Sequence, residues 1–523
     1  MIEVVIACVF VIAITLRVIG SREIPPADDA YHLKRIEYSA AHFPAALEFD
    51  PDRGERGAFC PWPPLYDVAL GAVRGSGFGI RALMLIPPLF FATFAAIVAF
   101  AFRRFGLLPA ATAGLTLAFS PYLIVISSVG HLDHHYVEPL LLLLIVAAAM
   151  RRNGIALGIA ITLALFVQTA LFVAAGIAFV AMFFSDKPRE GAKAFAIAAA
   201  AILLFRLTRP PAYPDSAWFL GYAHAALLAG AAVACALRER VSAVTALAAG
   251  VGVALAVPQT GSAFFSGLHF FGGDPWLSSI AEFQPMFRNA GQIGTDIANL
   301  TGGAVLSLFL WRRYPTFALF ATTYLALAIS SRRFLVPAIA LFAVGGALAA
   351  ARLEIRDSRF AWAALLMTVL PPLAYDLYSI REGEPSMSEY RALALCVRPL
   401  PAGRVLAPWS FGHAIDVIGQ HAVVIDNFGS MPDERVFTNA IEAMLLLREK
   451  QLLRYCRDRQ IRYLVLPHPA YIPSAAATIG IDRDLYSRTR LARRTVWSRL
   501  YGGELIGGFE LVSRGALSIW KIE

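Results

Sequence analysis

The chain is 523 residues long, 58% hydrophobic and only 16% charged, with a mean hydropathy of +0.61. A soluble protein of this size cannot hide that much apolar surface, so the composition excludes a soluble globular enzyme and predicts a polytopic α-helical membrane protein. The net charge of +9 does not point to nucleic acid, because the Lys and Arg residues sit mostly in short turns between apolar runs, as topology signals do.

The first apolar stretch, residues 4–19, reads as a retained first span. It has no basic region ahead of it, and Arg22-Glu23-Ile24-Pro25 makes a poor signal-peptide cleavage site. Beyond Pro25-Pro26, Asp28 and Asp29 precede helical turns that carry Tyr31, His32 and Lys34. A solvated, helix-capping acidic pair is the bland reading, and a metal-ligating pair the functional one.

Windows long enough to cross a hydrocarbon core number about thirteen. They are residues 3–20, 82–102, 107–128, 136–150, 154–170, 171–184, 192–206, 217–236, 241–257, 296–311, 314–330, 334–351 and 359–379. With a cytoplasmic N-terminus, the inside loops hold Arg103-Arg104, Arg151-Arg152, Lys187 to Lys193, Arg238 to Arg240, Arg312-Arg313 and Arg352 to Arg359. That is the distribution expected of cytoplasmic loops. Arg206, Arg209 and the Arg332-Arg333 pair are the exceptions outside. An odd number of spans also places the chain after about residue 380 on the outer side of the cell or inner membrane.

Two outside loops are long, 21–80 and 258–295, and long loops of this kind are usually functional. Residues 1–383 thus form a transmembrane domain with two external loops, and 384–523 a small extracytoplasmic α/β domain. In that tail, Val405-Leu406-Ala407, Ala422 to Ile425 and Tyr463 to Leu466 read as buried strands. Phe437 to Arg457 reads as an amphipathic helix, and Gly508 to Ile522 as a hairpin. Five cysteines show no metal-site spacing; a Cys396–Cys456 bridge is open to such a tail, although nothing demands it.

Four polar clusters fall on the outer side in this topology: Asp28-Asp29 with Tyr31 and His32, Asp133-His134-His135, Glu282, and Arg332-Arg333. Asp133-His134-His135 lies in a very short turn between two spans, with Glu138 one turn on, and ionisable groups crowded at a membrane boundary are costly unless they serve a function. Asp133 and His135, at i and i+2, reach one cation if the turn is extended. Glu282 sits among Gly and aromatic residues in loop 258–295; a solvated glutamate is the default there. With Asp28 and Asp133 it completes a carboxylate-rich shell suited to manganese or magnesium. Zinc fits less well, since no cysteine is placed to help. Arg332-Arg333 stands at the outer end of a span, ready either to snorkel to headgroups or to pair with phosphate. Trp409-Ser410-Phe411-Gly412-His413 follows a predicted strand, with Gly412 permitting a tight turn.

Together these segments resemble the catalytic subunit of oligosaccharyltransferase, most like its single-subunit archaeal and bacterial forms in the C-type glycosyltransferase superfamily. Asp28-Asp29-Ala30-Tyr31-His32-Leu33-Lys34 looks like the first acidic motif of that family, with Asp28 the ligand and Asp29 the alternative. Asp133-His134-His135-Tyr136-Val137-Glu138 is similar to the second motif, which implies Asp133 and His135 as ligands and leaves His134 and His32 as further candidates. Ser279 to Pro285 looks like the glutamate motif of the fifth external loop, making Glu282 metal-proximal and acceptor-facing. Arg332-Arg333-Phe334 resembles the segment that meets the lipid pyrophosphate. The family signature Trp-Trp-Asp-Tyr-Gly appears here as Pro408-Trp409-Ser410-Phe411-Gly412, so Trp409, Ser410 and Phe411 become the acceptor contacts, with a serine where the aspartate would be.

The resemblance implies an enzyme that moves an oligosaccharide from a polyprenyl-(pyro)phosphate in the membrane to asparagine of an acceptor polypeptide, with inversion and a divalent cation. Asp28, Asp133 and Glu282 are its catalytic carboxylates. The altered tryptophan signature keeps open the same chemistry on a lipid, polymer or protein-hydroxyl acceptor. A transporter of lipid-linked sugar fits less well, because the polar residues gather at one face rather than along a path.

Overall fold

All thirteen apolar stretches fall on helices. The computed structural model describes residues 2–19, 23–269, 274–288, 292–354, 358–382, 388–487, 491–515 and 517–523. The boundary expected at 383/384, and parts of loops 21–80 and 258–295, lie outside the described residues. Helix ends follow the sequence: Pro121 forces Ser120 out of the helical region (ψ 119°), splitting 107–128 into Leu107–Phe119 and Pro121–Ile126. Asn153 caps the helix Gly154–Val167 by accepting from the Ala156 N–H.

Among the described residues, two helical runs, Ile80–Phe105 and Arg332–Leu353, are by themselves long and apolar enough to cross a membrane. A bent pair, Ala243–Leu255 with Gln259–Phe265, makes a third if it counts as one span. The other apolar helices are shorter, so this test does not establish the expected count of thirteen. The helices share one apolar core, and they also turn large apolar side chains outward: Leu204 is 67% exposed, Phe309 73% and Val244 77%. An outer surface of that character suits lipid rather than water.

Loop 21–80 is itself structured. It contains the helices Asp28–His42 and Leu65–Gly75 and a two-stranded ribbon, β1 (Phe49–Asp50) with β2 (Ala58–Phe59). The tail forms a four-stranded sheet of β3 (Arg404–Leu406), β4 (Ile461–Leu466), β5 (Phe509–Arg514) and β6 (Ser518–Ile522), in the order β3-β4-β6-β5. β3 and β4 are parallel, which requires the long helical crossover between them; β6 is antiparallel to both neighbours. Trp497 and Trp520 fill the core beneath.

Two expectations for the tail are corrected, and a bridge that the sequence left open is not formed. Ala422 to Ile425 is not a strand: Val423 makes only isolated bridges, to Val405 and to Arg53 of the first loop, because its partners come from two different segments. The expected helix 437–457 is two helices, Glu434–Met444 and Glu449–Asp458. Between them the Leu446 carbonyl leaves the helical pattern to accept the Val496 N–H at 2.9 Å. Cys396 and Cys456 are both free thiols, Cys396 at the surface and Cys456 buried.

Candidate active site

The turn that carries Asp133 is set by Gly130. Its φ of +89° suits glycine, and a Cβ there would lie 2.4 Å from the Glu23 carbonyl oxygen. The backbone N–H groups of Val129 and Gly130 donate to the carbonyls of Arg17 and Met84, fastening the turn to two helices. Asp133 itself is extended (φ −83°, ψ 143°), as its expected reach requires, and His134–Val137 follow as a 3-10 turn.

Asp133 is the hub of the cluster. Its backbone N–H donates to Asp29 Oδ1 at 3.1 Å. Its Oδ1 lies 2.9 Å from His134 Nδ1 and 3.5 Å from His32 Nε2, and its Oδ2 lies 3.3 Å from His135 Nε2. Yet Oδ1 is buried without a well-aligned hydrogen-bond donor. Burial pushes the Asp133 carboxyl up, but His135 and His134 more than offset this and hold it well below the usual range. Asp29 goes the other way: burial, with Asp133 and Asp28 beside it, raises its carboxyl well above the ordinary value.

Behind the hub, His32 is fixed on three sides. Its Nδ1–H donates to Asp67 Oδ1 at 2.6 Å, its ring stacks on Trp62 with centroids 4.0 Å apart, and Nε2 lies 3.1 Å from His134 Nδ1. Asp67 is buried and also pairs with Arg35 at 2.6 Å. Gln168 donates from its amide nitrogen to His134 Nε2 at 2.7 Å, so the His134 proton belongs on Nδ1, facing Asp133.

On the other side, His135 Nδ1 donates to Glu138 Oε1 at 2.7 Å, and the same oxygen accepts from Arg333 at 2.7 Å. The guanidinium of Arg333 continues to Glu282 Oε1 at 3.7 Å. Arg332 faces away from this chain of contacts and grips Asp296 with both arms, at 2.8 and 2.9 Å. Its backbone N–H donates to the Gln284 carbonyl at 3.0 Å, which ties the glutamate turn to the arginine segment.

Asp28 sits at the mouth, 40% exposed, with Oδ1 3.1 Å from His413 Nδ1. Trp409 packs edge-on against the buried Trp276, centroids 5.9 Å apart, and Ser410 is half-buried beside it. Phe411 is fully buried and stacks on Tyr390 at 4.7 Å. Phe411 therefore packs within the tail, while Trp409 and Ser410 beside it stay partly exposed. Asp296 occupies the Arg332 guanidinium, and Arg333 is the arginine beside the acidic cluster.

Among the described residues, two groups bring their donor atoms within 4.8 Å of one another: His32, Asp133 and His134, and His134, His135 and Glu138. Carboxylate and imidazole donors around an oxygen without a hydrogen bond fit a divalent cation. Asp133 and His135 of the expected set belong to these groups, whereas Asp28 and Glu282 stand outside both. Sequence reasoning missed Asp67, Gln168, Asp296 and Asp416. Asp296 carried a usable signal, a lone carboxylate at the head of an apolar stretch.

No family model matches the sequence, and no curated protein matches it. Solved structures do. The archaeal oligosaccharyltransferase AglB from Archaeoglobus fulgidus, in complex with an inhibitory peptide and a dolichol-phosphate, superposes with a TM-score of 0.79 at 17% identity, over 98% of this chain and 79% of that one. The fold is that of an archaeal oligosaccharyltransferase. The Archaeoglobus fulgidus enzyme tethered to an acceptor peptide containing the NVT sequon gives a TM-score of 0.74 at 18% identity, over 98% of this chain and 79% of that chain. Its complex with Zn and sulfate gives 0.69 at 18% identity, over 97% and 78%. An oligosaccharyltransferase fold thus carries the Asp133 cluster, the Arg333–Glu282 contact and the Trp409 segment of this chain.

Proposed function

We propose that the chain is a membrane oligosaccharyltransferase that moves a glycan from a polyprenyl-linked (pyro)phosphate to the side-chain nitrogen of an acceptor asparagine. The observation that supports it best is one chain of contacts that links four distant segments within an oligosaccharyltransferase fold: Asp29 and His32 to Asp133, then His135 through Glu138 to Arg333 and Glu282. In this reading the thirteen apolar helices span the membrane with the N-terminus in the cytoplasm, and the cluster and the tail from residue 384 face outside.

Asp133, His135 and His32 would hold a manganese or magnesium ion, with His134 donating to Asp133 beside them and Asp28 and Glu282 as the further carboxylates of the site. When bound, that ion supplies positive charge against the leaving phosphate. Arg333, held between Glu138 and Glu282, takes the departing phosphate oxygens. Glu282 and Asp28 accept hydrogen bonds from the asparagine amide, which weakens its conjugation and leaves the nitrogen more nucleophilic. The nitrogen forms a bond to the anomeric carbon from the face opposite the phosphate, the carbon–oxygen bond to phosphate breaks with its electron pair going to that oxygen, and the nitrogen gives up a proton to one of the two carboxylates that accept its hydrogen bonds. The sugar carbon inverts. Trp409 and Ser410 contact the acceptor two residues beyond the asparagine, and Ser410 does so with a neutral hydroxyl where a carboxylate would bind more strongly.

The test is direct: purified full-length chain in detergent, a lipid-linked glycan, manganese and an Asn-X-Thr peptide, read by mass spectrometry. A glycan mass on asparagine that disappears on chelation supports the proposal. Transfer only to lipid or hydroxyl acceptors favours the second reading, to which Ser410 and Pro408 lend weight, and lipid flipping without transfer favours a transporter.

A further inference from the structure

One side chain of the tail reaches the acidic mouth. His413 is fully buried and points its Nδ1 at Asp28 Oδ1, 3.1 Å away and 385 residues distant in sequence. A carboxylate only accepts, so Nδ1 carries the proton and donates. Among the described residues, His413 is the one side chain that hydrogen-bonds Asp28.

The imidazole has little freedom. It stacks on Tyr31, with centroids 4.6 Å apart and planes 11° from parallel, and Phe428 meets it edge-on at 4.8 Å. Its backbone is equally constrained, because Gly412 lies so near Asp426 that a Cβ would come within 2.3 Å of the Asp426 Cα. Nε2 is buried without a hydrogen-bond partner and stands 3.8 Å from Asp426 Oδ1, so the ring's one side-chain hydrogen bond is the one to Asp28. A second contact locks the two segments together. Lys34, on the same helix as Asp28, bonds both oxygens of Asp416 at 2.8 and 3.0 Å, three residues after His413.

We propose that His413 is a positioning residue whose Nδ1–H holds one oxygen of Asp28 and so presents the other to a divalent cation. The tail would then shape the catalytic centre as well as contact the acceptor. This rests on the reading of Asp28 as a cation ligand in an oligosaccharyltransferase.

Two substitutions separate the hydrogen bond from the packing. Asparagine places its amide nitrogen where Nδ1 stands, whereas phenylalanine keeps the stack on Tyr31 and has no donor. The full-length chain in detergent is titrated with Mn2+ alone and followed by water-proton relaxation. H413F should weaken binding about 10- to 100-fold, as loss of a ligand's supporting hydrogen bond does, while H413N stays within about threefold of wild type. In a D28N background, H413F should cause no further loss.

Equal weakening by H413N and H413F, no effect of either, or a full H413F effect on top of D28N would each overturn the proposal. If H413F does not fold, H413Q replaces it, since its amide nitrogen lies at the Nε2 position. Glycan transfer by the wild type is measured alongside. Mn2+ binding that depends on His413 without any transfer would sink the oligosaccharyltransferase reading and leave the positioning role standing.

Discussion

Arg333 and Glu138 form a buried ion pair at 2.7 Å across 195 residues of sequence. The glutamate oxygen that accepts from Arg333 also accepts from His135, so one atom sets the position of a phosphate-binding candidate and of a cation-binding candidate. Removing one partner of such a pair strands a buried charge, which costs about 3–5 kcal/mol. E138A should therefore lower the unfolding free energy by that amount. The double variant E138L/R333L should recover a large part of it while remaining inactive, as measured by denaturant titration in micelles. A double variant as unstable as E138A would mean that the loss does not come from the stranded charge.

Arg332 and Arg333 are neighbours with different partners. Asp296 engages Arg332 bidentately, a geometry lysine cannot reproduce. R332K should reduce folding yield and thermal stability with little change in the donor KM of the protein that folds. R333K should leave stability nearer to wild type and raise the donor KM about tenfold, the loss of roughly 1.4 kcal/mol of phosphate contact. Equal donor KM values in the two variants would contradict this division.

The junction between the first loop and the tail should respond to mild acid. Lys34 lies 2.8 Å from Asp50, 2.8 Å from Asp416 and 3.4 Å from Asp52, three carboxylates around one ammonium. Burial pushes Asp416 up from 3.8 to about 6 despite the pull of Lys34. A carboxyl raised in this way binds its proton more readily in the folded chain than in the unfolded one. Its contribution to stability is therefore largest at low pH and declines as pH climbs through the window between those two values. Relative to D416N, which cannot titrate, the wild type should lose up to about 3 kcal/mol across that window. Parallel profiles for the two proteins would rule this out.

Gly130 holds the Asp133 turn in a conformation that an L side chain resists, and a methyl group would strike the Glu23 carbonyl. G130A should cost at least about 1–2 kcal/mol. It should also lower Mn2+ affinity, because the turn that presents Asp133 must move. Wild-type affinity in a folded G130A protein would show that the turn tolerates the shift.

Much of the helical architecture could be read from sequence because apolar runs and caps act locally: Asn153 marks its helix start without any tertiary help, whereas 107–128 reads as one span although Pro121 divides it. The polar motifs were visible for the same reason, as Asp28-Asp29 and Asp133-His134-His135 are clusters in themselves. Their partners were not. Asp67 is a single carboxylate in unremarked sequence and Asp296 stands out only as a lone carboxylate heading an apolar stretch; they matter through His32 and Arg332, 35 and 36 positions away. Arg332 illustrates the cost of this, since the sequence offers two adjacent arginines and only the fold shows which one a carboxylate already occupies. Val423 fails as a strand because its backbone answers to Val405 and to the first loop at once, a conflict no local pattern records.

In the proposed function the groups around Asp133 act together on a sugar–phosphate bond. The most direct measurement is manganese-dependent glycosylation of an Asn-X-Thr peptide by the purified chain, with D133A compared at equal folded concentration. The account predicts a glycan mass on the asparagine for wild type, none after chelation, and none for D133A. Transfer by D133A at the wild-type rate would contradict it.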